Sequence, residues 1–333
     1  MTGLNVAIAG FGWWGQHMLR RLGASEIVRP VAVIETAPEA QEKVRAAGAQ
    51  VVGFDAALAD PAIDAVILTV PNALHEEMSV RAARAGKHVF CEKPLSLDPA
   101  SARRIVDACA EAGVRLGIGH ERRFEPALVR VAEMVRDGTL GTIMHAEAAF
   151  SHDKLIGVAP GDWRTRKATS PAGGMTATGI HLSDLFIWMF GPVHSVAAQV
   201  AARQLDWETG DTTAVQLGFA AGMSAQFQAI LYTPHFIRLH VFGHLAHVEV
   251  RNSTHPDTPG GNAELVLTRT GEPPVRETYD WTDTVRANVE AWAASILTGA
   301  DYVHRPDQML HNIEVLAAVT RSGETGRVVE IAP

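Results

Sequence analysis

The sequence predicts two domains of different class: a doubly wound parallel α/β domain, followed by an α+β domain with a large open, mainly antiparallel sheet flanked by helices. A chain of 333 residues is too long for one ordinary hydrophobic core. Residues 1–122 alternate unbroken apolar runs with Ala-rich helical stretches, which is typical of a parallel sheet covered on both faces. Residues 123–333 carry a helix and then a series of strand-like runs, which favours an antiparallel sheet.

The apolar runs of the first domain predict strands at Leu4–Ala9, Val31–Ile34, Ala65–Val70, His88–Cys91 and Arg115–Ile118. The stretches between them predict helices at Gln16–Leu22, Pro38–Ala47, Leu74–Ala85 and Pro99–Ala112. In such a sheet the ligand crevice lies beyond the C-terminal ends of the strands.

The second domain is predicted to begin with a helix at Pro126–Arg136, a strand at Ile143–Phe150 and a polar loop over 151–172. A further helix ends at Phe190, because a Gly and a Pro follow it. Alternating runs then predict strands at Val193–Ala201, Thr213–Phe219, Ser224–Leu231, Ile237–Phe242, His247–Val250 and Glu264–Leu267. Two helices, at Thr284–Leu297 and Asp307–Ser322, are predicted near the C-terminus.

Composition argues against several kinds of partner. The net charge of −8 and the scattered Lys and Arg residues disfavour nucleic acid. No apolar stretch reaches the ~18 residues that cross a bilayer, and the N-terminus shows no signal-peptide pattern. The only cysteines are Cys91 and Cys109, which favours a reducing compartment. We therefore expect a soluble, cytoplasmic protein with two buried cysteines.

The segment GFGWWG, at residues 10–15, fits the pattern G-x-G-x-x-G directly after the first strand and at the start of a helix. In this context Gly10 permits the tight turn, Gly12 lets the backbone approach a pyrophosphate, and Gly15 allows the helix to pack closely on the strand. The helix N-terminus then faces the phosphates with its positive dipole end. A dinucleotide site is the favoured interpretation; a purely structural turn and an FAD site are the alternatives.

The other residues of this region refine the cofactor prediction. Phe11, Trp13 and Trp14 complete the loop, and the two tryptophans either line the cofactor cleft or pack the start of the helix. Glu35 ends the second strand, where a carboxylate accepts hydrogen bonds from the adenosine ribose hydroxyls and repels a 2′-phosphate. The sequence therefore favours NAD over NADP.

Three further segments follow strands and are expected at the crevice. Pro71-Asn72 follows the third strand, Glu92-Lys93-Pro94 the fourth, and a segment containing His120 and Arg122 the fifth. Pro94 disfavours helical geometry at Lys93, which limits how the backbone carries that side chain. Burial beside a nicotinamidium cation would lower the pKa of this lysine toward neutrality. We expect His120 and Arg122 to contact the substrate.

Taken in order, these segments resemble the Gfo/Idh/MocA family of NAD(P)-dependent oxidoreductases, named after glucose–fructose oxidoreductase and inositol dehydrogenase. The resemblance covers nearly the whole chain, and its specificity comes from the ordered set of motifs. The motifs are the glycine loop, Pro71-Asn72 with His75, Glu92-Lys93-Pro94, Arg122-Arg123-Phe124 with Pro126, Asp162-Trp163-Arg164, Gly173-Gly174, Gly179-Ile180-His181 with Asp184, and Gly210-Asp211-Thr212.

The resemblance implies that Lys93 is a catalytic lysine next to the nicotinamide. It also implies cofactor contacts from Pro71, Asn72, His75 and Glu92. The second domain is implied to be a mixed sheet that covers the substrate and commonly mediates oligomerisation. We therefore expect a homo-oligomer, a dimer or tetramer, formed through the C-terminal sheet.

One position departs from the family pattern. His181 matches the family's histidine, but Ala177 stands where the family has a carboxylate four residues earlier. An acidic residue at that position would share a helix face with His181. The chain therefore lacks the usual partner of the histidine.

Three interpretations of His181 remain open. It acts alone as a general base, with Lys93 and Thr176 or Thr178 orienting the substrate hydroxyl. Alternatively, Asp184 orients it from behind. In the third interpretation catalysis is lost and the protein only binds a dinucleotide.

The loop before this helix carries Trp163 and Arg164, which we expect to contact substrate by stacking and by forked hydrogen bonds to a carboxylate or vicinal hydroxyls. Arg166 and Lys167 make the loop more basic, which favours an acidic substrate. The histidines at 235, 240, 244, 247 and 255 lack the spacing of a metal site, so no metal is predicted.

The expected reaction is hydride transfer between nicotinamide and a secondary alcohol, or its ketone, of a cyclic polyol, a sugar or a hydroxylated ring acid. His181 would exchange the hydroxyl proton, and Lys93 would stabilise charge on the oxygen. Two alternatives are a dinucleotide-binding regulator without turnover, motivated by Ala177, and an NAD-assisted glycoside hydrolase, which no residue favours. The expected partner is a small-molecule substrate.

Overall fold

The computed structural model describes residues 3–332, which divide into two compact units. The first unit contains residues 3–121 and Asp283–Leu310, and the second contains Arg122–Thr282 and residues 311–332. The sequence analysis placed every residue after 122 in the second domain. The structure differs, because Asp283–Leu310 returns to the first unit.

Six parallel strands form the sheet of the first unit, and their strand order is that of a doubly wound fold. The strands are β1 Leu4–Ala9, β2 Val28–Ile34, β3 Val51–Val52, β4 Ala65–Leu68, β5 His88–Cys91 and β6 Leu116–Ile118. The spatial order is β3-β2-β1-β4-β5-β6, so the direction of winding reverses between β1 and β4. This confirms the predicted fold class. Every residue of β4 is buried, as expected for an unbroken apolar run in a parallel sheet.

Helices connect these strands: α1 Trp13–Leu22, α2 Pro38–Ala46, α3 Phe54–Ala59, α4 His75–Arg84 and α5 Pro99–Glu111. The sequence analysis missed β3 and α3, because two and six residues are too short to show a hydrophobic period. It also began α1 three residues late, since glycines and tryptophans hide a helix start that has no side-chain cap.

A nine-stranded mixed sheet forms the centre of the second unit, as the predicted fold class requires. Its strands are β7 Ile143–Ser151, β8 Val193–Ala201, β9 Thr212–Phe219, β10 Ser224–Ile230, β11 Phe236–Gly243, β12 Ala246–Asn252, β13 Asn262–Arg269, β14 Val275–Asp280 and β15 Val329–Glu330. Their order is β14-β13-β12-β11-β7-β10-β9-β8-β15, and only β7 and β10 pair in parallel. The sequence did not predict β14, which is a polar edge strand, or β15, which has two residues.

Helices α6 Pro126–Arg136 and α7 Ile180–Phe190 belong to this unit, and the polar loop between β7 and α7 contains short helical turns. Strand β9 shows the alternation typical of a sheet with one covered face: Val215 and Leu217 are buried, whereas Ala214 and Gln216 are exposed.

The chain ends with α8 Thr284–Thr298 and α9 Pro306–Thr325. Helix α8 covers the parallel sheet of the first unit, where the buried ring of Trp292 meets Phe90 edge to face with 5.5 Å between ring centroids. Gly117 makes room for it, since a Cβ there would lie 2.8 Å from the Trp292 ring. This packing is the physical reason that the first unit includes a C-terminal segment.

Cys91 and Cys109 are both buried and unbridged, which confirms their prediction as buried residues. Over the described range 3–332, no helix combines the length and apolar character needed to cross a bilayer.

Candidate active site

Glycines shape the loop between β1 and α1 in the way a dinucleotide site requires. Gly10 has a φ of +90°, and a Cβ on Gly15 would lie 2.0 Å from the Gly10 carbonyl oxygen, so both positions need glycine for the turn itself. At Gly12, by contrast, no atom of residues 3–332 lies within 4 Å of where a Cβ would be. The protein leaves open the space through which a phosphate would approach this backbone.

Helix α1 begins directly behind this open space. No side chain of the described residues caps its N-terminus, and its first turn contains no acidic residue. Its N-terminal N–H groups and positive dipole end are therefore available to an anion. The loop and the helix together fit the pyrophosphate of a dinucleotide.

Glu35 lies at the end of β2, and backbone N–H groups hold both of its carboxylate oxygens. Oε2 accepts a hydrogen bond from the Phe11 N–H at 2.9 Å. Oε1 accepts from Thr36 at 2.7 Å and from Ala37 at 3.0 Å. The carboxylate is thereby fixed against the glycine loop, next to the proposed pyrophosphate position.

The aromatic residues of the loop have different positions. The Phe11 side chain is buried in a small apolar cluster, so the predicted cofactor contact of Phe11 would come from its backbone. Trp14 packs partly buried against the core of the first unit and stacks on His17, with 4.9 Å between centroids. Trp13 is 63% exposed at the start of α1. Of the two tryptophans, Trp13 is therefore the one accessible to a bound cofactor.

Lys93 lies two residues beyond β5, in a turn whose neighbours restrict it. The Glu92 side chain is buried and accepts a hydrogen bond from the Lys93 N–H at 3.2 Å. Gly119, beyond the neighbouring strand β6, packs against it, since a Cβ there would lie 2.4 Å from a Glu92 carboxylate oxygen. The Lys93-Pro94 peptide bond is cis, and the Lys93 side chain is half-buried.

His75 stabilises the same turn from below. Its ring is fully buried, with Nδ1 at 2.7 Å from the Pro94 carbonyl oxygen and Nε2 at 3.0 Å from that of Val70. Burial lowers the pKa of His75, which favours a neutral ring. The prediction that His75 contacts the cofactor is therefore corrected: the imidazole links two strand-end turns. In one of these turns Pro71 is exposed and Asn72 is buried.

The end of β6 is held by the returning C-terminal segment. Asn288 donates a hydrogen bond to the Ile118 carbonyl oxygen at 2.9 Å and accepts one from the Tyr302 hydroxyl at 2.7 Å. His120 follows, buried, with its ring centroid 6.3 Å from that of His304. No local pattern in the sequence predicts these C-terminal residues, because their contacts span more than a hundred positions.

In the second unit, a π-helical turn, Met175–Gly179, leads into α7, whose second residue is His181. A π turn closes i→i+5 hydrogen bonds and is wider than an α turn. Thr176 and Ala177 therefore both lie about one turn before His181. The imidazole is buried.

Both threonines donate their hydroxyl protons within the protein. Thr176 donates to the Pro171 carbonyl oxygen. Thr178 contacts the carbonyl oxygens of Phe150 at 3.0 Å and Gly174 at 3.2 Å. A hydroxyl that already donates can only accept from a further partner. Neither threonine would therefore donate to a substrate oxygen.

Asp184 forms a buried ion pair with Arg123. Arg123 Nε and Nη2 lie 2.8 Å and 2.7 Å from the two carboxylate oxygens, and the guanidinium also covers the Trp188 ring at 5.7 Å. Because Arg123 engages both oxygens, Asp184 anchors α7 to the turn after residue 121. The interpretation in which its carboxylate orients His181 from behind stays a prediction.

Phe150, at the end of β7, is surrounded by basic side chains. Its ring lies 5.1 Å from the Arg122 guanidinium and 5.9 Å from the His181 ring. His152 and His255 are 6.0 Å and 5.4 Å away. The sequence analysis missed Phe150 and His152; a signal was available, because they end a strand that leads into the substrate loop.

Burial and neighbouring cations lower the pKa of two histidines in this region, His255 and His235. Burial, followed by the charge of Lys154, lowers the pKa of His255 to about 2 and also lowers that of His235. Lys154 lies 3.9 Å from Asp257, and burial lowers its pKa as well. In the range 3–332 no three His, Cys, Asp or Glu side chains are arranged to hold a metal ion.

The substrate-loop residues Trp163 and Arg164 contact each other. The Arg164 guanidinium lies 4.2 Å above the Trp163 ring and 3.3 Å from Asp162, whose carboxylate also accepts from the Arg164 N–H at 2.9 Å. Both side chains are half-buried. They remain predicted substrate contacts.

Two family descriptions match the chain in sequence order. Residues 4–120 match the oxidoreductase family with an NAD-binding Rossmann fold, and residues 128–249 match the GFO/IDH/MocA C-terminal domain. The chain belongs to the Gfo/Idh/MocA family. It is therefore a nicotinamide-dinucleotide-dependent oxidoreductase, and the FAD interpretation of the glycine loop is set aside.

Named relatives include sugar and polyol dehydrogenases. Inositol 2-dehydrogenase of Rhizobium meliloti is 26% identical over 99% of both chains. D-xylose 1-dehydrogenase (NADP(+)) 2 of Haloferax volcanii is 29% identical over 84% of this chain and 83% of its own. The structure of GenD2 from gentamicin A biosynthesis, in complex with NAD, superposes with a TM-score of 0.84 at 27% identity, covering 100% of this chain and 97% of the other. Family members thus use either nicotinamide dinucleotide.

The neutral, buried His255 predicts a pH-dependent stability. Its pKa of about 2 in the folded protein lies below the ~6.5 of an unfolded histidine, so the unfolded state binds more protons between these values. Stability is therefore unaffected above about pH 6.5 and falls as the pH decreases below it, by up to about 1.4 kcal/mol per pH unit for this group. In His255→Gln the urea midpoint should fall less between about pH 7 and about pH 5 than in the unsubstituted protein. His194→Gln, at an exposed position, is the control, and equal losses in all three proteins would contradict the expectation.

Proposed function

We propose that this oxidoreductase transfers hydride between a nicotinamide dinucleotide and a secondary alcohol, or the corresponding ketone, of a sugar, a cyclic polyol or a hydroxylated ring acid. The observation that carries the proposal is Lys93, a half-buried lysine in a restrained turn at the C-terminal edge of a dinucleotide-binding sheet. The activities of the xylose and inositol dehydrogenase relatives support this substrate class.

His181 would transfer the proton, and Lys93 would stabilise the charge on the reacting oxygen. Bound nicotinamide supplies the hydride acceptor or donor. His181 takes the hydroxyl proton during oxidation and returns it during reduction. The Lys93 ammonium stabilises the negative charge that develops on the same oxygen. Position 177 is alanine, so His181 would act without the carboxylate that the family pattern places four residues before it.

Substitution of the two proton-handling residues tests this division. Lys93→Ala and His181→Ala should each retain NADH binding and lose at least ~100-fold in turnover, the usual loss for general acid–base groups. If both act on one oxygen, the double variant should lose little more than the worse single variant, because groups that act as a unit are not additive. Steady-state rates and NADH titrations measure both effects.

Lys43→Ala, at an exposed position of the first unit, is the matched control. Turnover that is unchanged in Lys93→Ala, or losses in the two single variants that simply multiply in the double variant, would contradict the shared role.

We propose NAD as the preferred cofactor, because the Glu35 carboxylate is fixed beside the loop and would repel a 2′-phosphate. Glu35→Gln removes the charge and keeps one oxygen that can accept from the Thr36 and Ala37 N–H groups, whereas its NH2 group cannot accept from Phe11. The variant should bind NADPH about 10-fold more tightly, with a smaller change for NADH, since a charge contact of this kind contributes about 1–2 kcal/mol. Quenching of tryptophan fluorescence during titration measures both affinities; tighter binding of NADPH than NADH by the unsubstituted protein would overturn this preference.

We also propose that the protein forms a dimer or tetramer through the nine-stranded sheet. The uncovered face of β9 and β10 presents small or uncharged side chains, including Ala214 and the paired Gln216 and Gln226, which two identical sheets can appose without like-charge repulsion. Replacing both glutamines by Glu should shift the mass toward a single chain in sedimentation equilibrium, whereas Gln50→Glu, at an exposed position, should not. A single-chain mass for the unsubstituted protein would refute the proposal.

A further inference from the structure

Two neighbouring arginines in the second unit differ in how their charges are satisfied. Arg123 places Nε and Nη2 on the two oxygens of Asp184. Arg122 is equally buried, with a relative exposure of 2%, but only its Nη2 has polar neighbours, Glu125 at 3.0 Å and Asn252 at 3.4 Å. Within residues 3–332, neither Nε nor Nη1 of Arg122 has a hydrogen-bond partner.

Burying Nε and Nη1 of Arg122 without acceptors destabilises the protein unless a ligand accepts their hydrogen bonds. A buried guanidinium presents N–H donors in a fixed fork, and each donor left without an acceptor loses its hydration without replacement. Glu125 does not compensate fully, because its other oxygen accepts from Asn252 at 2.5 Å. Arg122 therefore has donor capacity that the second unit does not use.

The surroundings of Arg122 favour an anionic ligand. The guanidinium covers one side of the Phe150 ring, and His181 adjoins the same ring. In both His152 and His255, Nδ1 accepts a backbone N–H, from Lys154 and Asp257 respectively, at 3.2 Å in each case. In their neutral forms both rings therefore carry the proton on Nε2 and present a donor.

Two cations and two carboxylates lie near Phe150 and its surrounding histidines. Lys154 adds a second cation, and the nearby carboxylates are Glu125 and Asp257, each beside one of the two cations. His235 also belongs to the group, and its buried Nε2 has no partner among the described residues. The nitrogen groups of Arg122, His181, His152 and His255 thus surround Phe150, with Lys154 and His235 beside them. No carboxylate of the described residues bonds to Arg122 Nε or Nη1.

We propose that Arg122 binds a carboxylate of the substrate, one aromatic ring away from His181, so that the substrates of this protein are sugar acids rather than neutral sugars or polyols. This inference rests on the proposed function and selects one of its substrate classes. The carboxylate would accept from Nε or Nη1 of Arg122, and the reacting hydroxyl would be the one nearest His181.

Matched substrate pairs provide the test. D-glucose and D-glucuronate, and D-galactose and D-galacturonate, differ only in whether C6 is a hydroxymethyl group or a carboxylate. NAD reduction should show a KM at least ~10-fold lower for an acid than for its neutral partner, the effect of one charged hydrogen bond. Arg122→Gln should raise the KM for the acid at least ~10-fold more than it raises that of the neutral sugar.

Arg130→Gln is the matched control, because Arg130 and Glu133 form the same i,i+3 pair in the same unit at exposed positions, with 3.4 Å between charged atoms. Arg122→Gln leaves Glu125 buried without its cation, so the double variant Arg122→Gln with Glu125→Gln keeps the experiment interpretable if the single variant unfolds.

Calorimetric titration of D-glucuronate into the protein with NADH separates this inference from the proposed function. Acid binding that is weakened in the double variant, without NAD reduction by any compound, supports the carboxylate site and contradicts the proposed function. Oxidation of neutral sugars that is unaffected by both Arg122 variants, together with no preference for acids in rate or binding, overturns the carboxylate site and leaves the proposed function standing.

Discussion

The chemistry of this protein depends on how firmly the turn after β5 is held, because a lysine side chain alone has too many rotamers to place an ammonium. The buried Glu92 occupies the space left by Gly119 and accepts the Lys93 N–H. His75 contacts the carbonyl oxygen of Pro94 from below and ties it to the turn after β4. The backbone that carries Lys93 is therefore fixed by neighbours on both adjacent strands, and only the side chain needs to adapt to a ligand.

The second unit fixes its histidine in a comparable way. The ion pair between Arg123 and Asp184 joins the turn after residue 121 to α7, and the π turn before α7 sets where that helix begins. Removing one member of such a pair would leave a buried charge, which usually destabilises a protein by about 3–5 kcal/mol. Asp184 thus helps to position α7, whose second residue is His181.

The sequence was informative wherever function and fold are encoded locally. The glycine loop, Glu35 and the Lys93 turn could be located because each follows an apolar strand, and the strand ends of a parallel sheet lie at one edge. The role of His75 could not be read in the same way, because its burial and its carbonyl contacts depend on a turn 19 residues later.

Long-range packing explains the remaining differences. Helix α8 reads like any other helix of the second domain, and only the space at Gly117 and the contact with Phe90 assign it to the first unit. The π turn is equally hidden, because it widens the helical turn before His181 without any signal in the composition. Phe150 was predicted only as the end of a strand, although its ring contacts both Arg122 and His181.

The absence of an acid at Ala177 and the unused donors of Arg122 have a common electrostatic consequence. A carboxylate one turn from His181 would orient that base, but it would also repel an anionic substrate at the distance of a few ångströms where Coulomb energies in a partly buried site reach several kcal/mol. A site that binds a substrate carboxylate therefore binds it more tightly when position 177 carries no carboxylate. The neutral state of His255, favoured by burial and by Lys154, fits the same pattern, since it supplies a donor without adding to the positive charges of Arg122 and Lys154. On this argument Ala177 is compatible with catalysis, because the ion pair between the substrate carboxylate and Arg122 would orient the substrate.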